Sequence, residues 1–111
     1  HRQFADQAQA RVFEQLRQRC AEPDAPASAH ASLANLYRRR GDLDAAIGHY
    51  QRAVRLDYDQ VSWHYALAQL LAQADRVDEA VHQARICLRL RPDHASADRL
   101  IEQLSDRPMA P

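Results

Sequence analysis

The stretch Ala27 to Gln60, ASAHASLANLYRRRGDLDAAIGHYQRAVRLDYDQ, is followed without a gap by a variant of itself, Val61 to His94, VSWHYALAQLLAQADRVDEAVHQARICLRLRPDH. At an offset of 34 residues the two pair Ser28 with Ser62, His30 with His64, Leu33 with Leu67, Ala34 with Ala68 and Leu36 with Leu70. Further on they pair Asp44 with Asp78, Ala46 with Ala80, Arg55 with Arg89, Leu56 with Leu90 and Asp59 with Asp93. The chain is therefore a repeat, and its fold follows from what one copy does.

Within a copy the shared apolar residues fall three or four apart, the spacing that gathers side chains on one face of a helix. Between them stand helix-ending residues: Gly41-Asp42 and Ala74-Asp75 midway, Asp57-Tyr58-Asp59 and Arg91-Pro92-Asp93 at the ends. Each copy is helix, tight turn, helix. The spacing predicts helices over about 28–40, 42–56, 60–73 and 77–90. Their buried stripes are Leu33, Ala34, Leu36 and Tyr37, then Ala46, Ile47, Tyr50, Ala53 and Val54, with the second copy repeating the scheme.

Outside the copies, Phe4, Ala8, Val12, Phe13, Leu16 and Cys20 share one side of a first helix over 4–20, leaving Arg11, Glu14, Gln18 and Arg19 to solvent. This helix is expected to cover the open end of the stack. Pro23 and Pro26 make 21–27 a connector. Ser28 or a neighbour is expected to cap the second helix, Asp42 the third, and Asp93 a last helix carrying Ala97, Leu100, Ile101 and Leu104. The tail from Arg107, with Pro108 and Pro111, is expected to fray. One domain spans 1–111: N-terminal helix and connector to 26, repeats at 27–60 and 61–94, a capping helix at 95–106 and the tail.

Composition narrows the function. At 111 residues the chain can bury a core without metal or disulfides, and its many alanines with only two glycines favour packed helices. Formal charge is zero, so no long-range field draws it to nucleic acid or an anionic membrane. All fifteen basic residues are arginine, which excludes lysine Schiff-base chemistry. No apolar run reaches the roughly 18 residues a membrane span needs, and no leader pattern is present. The first residue, His1, is not Met, which reads as a piece of a longer protein. No phosphate loop, nucleophile elbow or haem-attachment motif occurs, and the pairs Asp42/Asp44 and Asp57/Asp59 sit where helix capping explains them. No enzymatic activity and no cofactor are expected.

The pattern Leu33-Ala34, Tyr37, Gly41, Ala46, Tyr50 and Ala53, answered by Leu67-Ala68, Leu71, Ala80, Cys87 and Pro92, resembles the tetratricopeptide repeat, whose period is about 34 residues. Three positions depart from it: Tyr58 stands for a proline, Asp75 for a glycine and Ala84 for an aromatic. The resemblance implies an all-α fold, a short right-handed superhelical α-solenoid of antiparallel helix pairs with about six helices. It also implies that the first helix of each pair lines a concave wall. Ser28, Ala31, Asn35, Arg38 and Arg39 fall there in the first copy, Ser62, Tyr65, Gln69, Ala72 and Gln73 in the second, and Arg99 and Gln103 in the last helix. Some family members clamp a carboxylate tail with lysine, arginine and asparagine; here Asn35 alone fits, with Ala31, Ala66 and Leu100 at other clamp places, so that mode is not expected.

On this wall the candidate peptide-binding residues are Asn35, Arg38, Arg39, Tyr65, Gln69, Gln73 and Arg99. Amides of Asn35 and Gln69 can both donate to and accept from an extended backbone, Tyr65 offers flat apolar area, and arginine suits a carboxylate. Arg38-Arg39-Arg40 also closes a helix, where cations complement the dipole. Trp63, His64 and Tyr65 read as a packing knot more than an exposed anchor. Six histidines raise the question of metal, but no pair has the i, i+4 spacing of a zinc helix. His30 and His64 are assigned to packing, and His49, His82 and His94 to the surface. Cys20 and Cys87 follow no metal or redox spacing and are assigned to the core. The expected partner is another protein or a peptide segment. The alternative is a structural element that self-associates, including as a homodimer, or packs on an attached domain.

Overall fold

The computed structural model describes residues 2–106, with side chains from Asp6 onward. Among the described residues six helices follow one another: α1 (Arg2–Cys20), α2 (Ala27–Arg39), α3 (Leu43–Leu56), α4 (Val61–Gln73), α5 (Val77–Leu90) and α6 (Ala95–Ser105). No strand occurs among the described residues. Helices α2 with α3 and α4 with α5 form the two hairpins; α3 then leans on α4, α5 on α6 and α1 on α2. Each hairpin thus buries its apolar stripe on the next, giving an α-solenoid. Its radius of gyration, 15.5 Å, exceeds the roughly 13 Å of a compact chain this long, as a row of hairpins requires.

Small side chains set the spacing. Ala34, Ala46, Ala53, Ala68, Ala80, Ala84 and Ala97 are all fully buried, and Leu33, Ile47, Leu67, Leu70 and Leu71 fill the space between. The core runs through α2 to α5 and reaches Leu104 of α6, with Trp63 packed against it from the side. A second cluster, around Ala68, Ala84, Cys87 and Ala97, seats α6 and takes in Tyr65. Alanine lets helix axes approach closely, so the leucines interdigitate.

Both hairpin turns end their first helix in the left-handed region at the same repeat position. Gly41 has φ +82° and Asp75 has φ +63°. Glycine takes this conformation freely; aspartate is among the few other residues that tolerate it, which is why the departure at 75 leaves the turn intact. Asp42 then accepts from the Ala45 N–H at 3.3 Å, the expected cap of α3.

Several expectations need correction. Ser28 lies inside α2; Pro26 holds the N-cap position with no side-chain cap, and its carbonyl takes the Ala29 N–H. The last helix is capped by His94, not Asp93: its Nδ1 accepts the Ala97 N–H at 3.1 Å while its ring packs on Tyr65 at 5.0 Å. One side chain there serves as cap and packing surface, so His94 is no free surface residue. His49 is half-buried between the rings of His30 and Tyr37. Ala31 and Ala72, assigned to the wall, belong to the core. On α1, Phe13, Leu16 and Cys20 pack as expected, but Ala8 is exposed and Val12 is 49% exposed. The cause is that α1 rests chiefly on α2, with no second neighbour for the rest of its stripe. The expectations for the Phe4 side chain and for the tail from Arg107 lie outside the described residues.

Candidate functional site

The exposed part of α1 and the C-terminal half of α2 enclose a concavity. One cleft of about 730 Å³ is lined by Val12, Gln15, Leu16, Gln18, Arg19 and Glu22 from the α1 side and by Ser32, Asn35 and Leu36 from α2. A second, of about 530 Å³, shares Val12 and Leu36 and adds Ala8, Gln9, Phe13, Arg39 and Arg40. Together they form a groove with an apolar floor of Val12, Leu16 and Leu36 and a rim of amides and guanidinium groups. Arg40 lies over the Phe13 ring at 3.7 Å, so it stiffens the wall. An apolar floor with a few directed polar groups is the general build of a ligand pocket.

The candidate wall residues divide between places. Asn35 and Arg39 line this groove. Arg38 is spent on Asn35, whose side-chain oxygen accepts from its Nη2 at 2.7 Å and its Nε at 3.1 Å. That leaves the Asn35 amide N–H group to donate. Tyr65 is half-buried and lines a separate cleft with Asp59, Gln60, Val61, Ser62, Arg91 and His94. Gln69 and Gln73 are exposed on α4, and Arg99 is exposed on α6 with its Nη2 donating to Ser96 at 3.2 Å. The sequence missed the contribution of α1, because a period of 34 residues directs attention to the copies and away from the flanking helix.

The two buried histidines at equivalent repeat positions have different surroundings. His64 donates through Nε2 to the Tyr58 carbonyl at 2.7 Å, and the Gln83 side-chain amide lies 2.8 Å from its Nδ1. Tyr58, in the proline's place, thereby ties the turn to α4. His30 instead meets His49, Nδ1 to Nδ1 at 3.1 Å, with the rings stacked. Burial, then the nearby Arg52 charge, holds the His30 imidazole below its usual range. For His49 the causes are burial, then His30, then Arg52. The folded chain therefore resists protons that the unfolded chain takes up. Below about pH 6.5 the unfolded state binds more protons, so stability falls on acidification. Thermal unfolding should show the loss between neutral pH and about pH 5, and His49→Gln should make it shallower than in the parent chain.

What the geometry defines is a helical-hairpin solenoid with an end groove. The family model described as TPR repeat matches residues 34–75, which together with the hairpin fold supports a tetratricopeptide-repeat assignment. No curated protein matches its sequence. Among solved structures it is similar to MamA, with a TM-score of 0.79 at 20% identity over 85% of this chain. It spans 55% of that protein, about half its length. It is also similar to the Yersinia enterocolitica type III secretion chaperone SycD in complex with a peptide of the translocator YopD. There the TM-score is 0.77 at 14% identity, covering 94% of this chain and 85% of that one. A further structure of SycD, the translocator chaperone, gives a TM-score of 0.69 at 16% identity, over 94% of this chain and 72% of that chain. At these identities the likeness is one of fold. No described helix is long and apolar enough to cross a membrane.

Proposed function

We propose that this chain is a non-catalytic protein-interaction module that holds a segment of another protein in the groove between α1 and α2. The observation that carries the reading is the continuous apolar floor of Val12, Leu16 and Leu36, open to solvent and rimmed by Asn35, Arg19, Arg39 and Arg40. An apolar side chain of the segment covers the floor, the Asn35 amide donates to its backbone, and the arginines, against the single rim acid Glu22, favour a segment bearing a carboxylate. That SycD, similar in fold, was solved in complex with a translocator peptide supports the class of partner, a peptide segment. Arg38, through Asn35, and the exposed Gln69, Gln73 and Arg99 are offered as secondary contacts, with Tyr65 and its cleft as a second position.

The test is to select segments from a peptide display library on the whole chain and measure their affinity by fluorescence anisotropy. Arg39→Glu and Asn35→Ala should each weaken binding about tenfold or more, the loss of one well-placed interfacial contact. Affinities unchanged by both would remove the groove, while a loss in Tyr65→Ala alone would move the site to the second cleft.

A second reading has its own observation, the exposed Ala8 and Val12 on an end helix that rests chiefly on α2. A second copy could cover them. Sedimentation across a wide concentration range tests this, since a monomer throughout argues against self-association.

A further inference from the structure

Three helices that follow one another in sequence each deliver one soft or borderline donor to a single point. Cys20 ends α1, His30 stands in the first turn of α2 and His49 lies midway along α3. Their sulfur and ring-nitrogen donors all lie within 4.8 Å of one another, with Cys20 and His30 buried and His49 half-buried. We propose that Cys20, His30 and His49 form a binding site for a thiophilic d10 metal ion, Zn2+ or Cu+, which pins α1 to the first hairpin.

The geometry is close to what such an ion needs. An ion about 2.05 Å from each imidazole nitrogen subtends roughly 100° across the 3.1 Å between the two Nδ1 atoms, near the tetrahedral value. With sulfur at about 2.3 Å from the ion, each S···N edge should be roughly 3.6 Å. From 4.8 Å at most, an S···N edge therefore contracts by roughly 1.2 Å or less, a motion within reach of the Cys20 side chain at a helix end. A water or an added ligand completes a four-coordinate Zn2+; Cu+ is content with three donors.

The second repeat supplies an internal comparison. At the same offset of 34 residues, Cys20, His30 and His49 become Val54, His64 and Gln83. The buried histidine is thus kept in both copies, and in the second it is satisfied by the Tyr58 carbonyl and the Gln83 amide, with an apolar residue at the third place. Packing a histidine here needs neither a cysteine nor a second histidine. Only the first copy sets two imidazole nitrogens face to face, an arrangement in which the neutral rings must share one proton and which an ion can bridge instead.

Protonation is compatible. Burial first favours the neutral form of both imidazoles, the form whose lone pairs a metal takes. The Cys20 thiol is raised by burial, then drawn down by Arg52 and Arg19. On binding, the S–H bond breaks, an S–metal bond forms and the thiol proton leaves to solvent; the proton shared between the rings moves to an Nε2, and no atom changes oxidation state.

The experiment uses the whole chain purified without a histidine tag. Competition against a chromophoric chelator under reducing conditions is run with Zn2+ and, anaerobically, with Cu+. One ion per chain is expected for at least one of them, and which one binds identifies the metal. Cys20→Ser and His49→Gln should each weaken that binding at least about 100-fold, while His82→Gln, at an exposed histidine, should not change it. Because His49→Gln copies the residue the second repeat carries, its circular dichroism should match the parent. Co2+ should give a thiolate charge-transfer band that persists in Cys87→Ala, which keeps the test independent of any variant's folding. Substoichiometric binding of both ions, or affinity within threefold of the parent in either ligand variant, overturns the proposal.

Discussion

Leu67→Ala is expected to lower the stability of the chain by about 3 kcal/mol, the middle of the range for a buried leucine cut back to alanine. Leu67 is fully buried on α4, the helix that touches α3, α5 and α6. The space it leaves lies in the core cluster shared by α2 to α5, whose packed helices relax only partially into it. For a domain of this size each kcal/mol is worth roughly 4–8 °C, so the midpoint should fall by about 12–24 °C. Leu56→Ala is the control: at 60% exposed it should cost under about 0.5 kcal/mol. Both are read by thermal and urea unfolding followed by circular dichroism. Equal costs would mean that α4 is not the middle of the row.

The second large effect is expected at His64, where two terms add. His64→Ala opens a cavity and also strands the Tyr58 carbonyl and the Gln83 amide, now bonded at 2.7 and 2.8 Å. Cavity and unmade hydrogen bonds together should cost about 3–5 kcal/mol. His64→Phe separates them: it restores volume but not the bonds, so about 1–3 kcal/mol should remain. A phenylalanine variant as stable as the parent would show that His64 serves by shape alone and that Tyr58 is not tied down by it.

These two predictions rest on elements that the sequence made legible and one that it did not. Helix positions followed from repetition, since two copies of the same apolar spacing mark the same ends twice; observed bounds lie within two residues of those expected. The turn at Asp75 followed from its register with Gly41. Caps were harder to read, because Asp93 and His94 are adjacent and the choice between them is made by Tyr65, a contact between α4 and the segment entering α6. The meeting of Cys20, His30 and His49 had no signature at all. Ligand spacings seen in sequence report donors on one helix or one loop, whereas these come from three helices and converge only once the helices pack. The groove was half visible: Asn35 and Arg39 came from the repeat, but its floor needed α1, whose incomplete cover is a property of the end of the row and not of any residue in it.

The central claim, that a protein segment is held between α1 and α2, is tested most directly by methyl NMR of the labelled chain titrated with a selected segment. The methyl signals of Val12, Leu16 and Leu36 should shift together and saturate at one segment per chain, with Leu56, exposed elsewhere, unmoved. Saturable binding that leaves those three signals in place would contradict it.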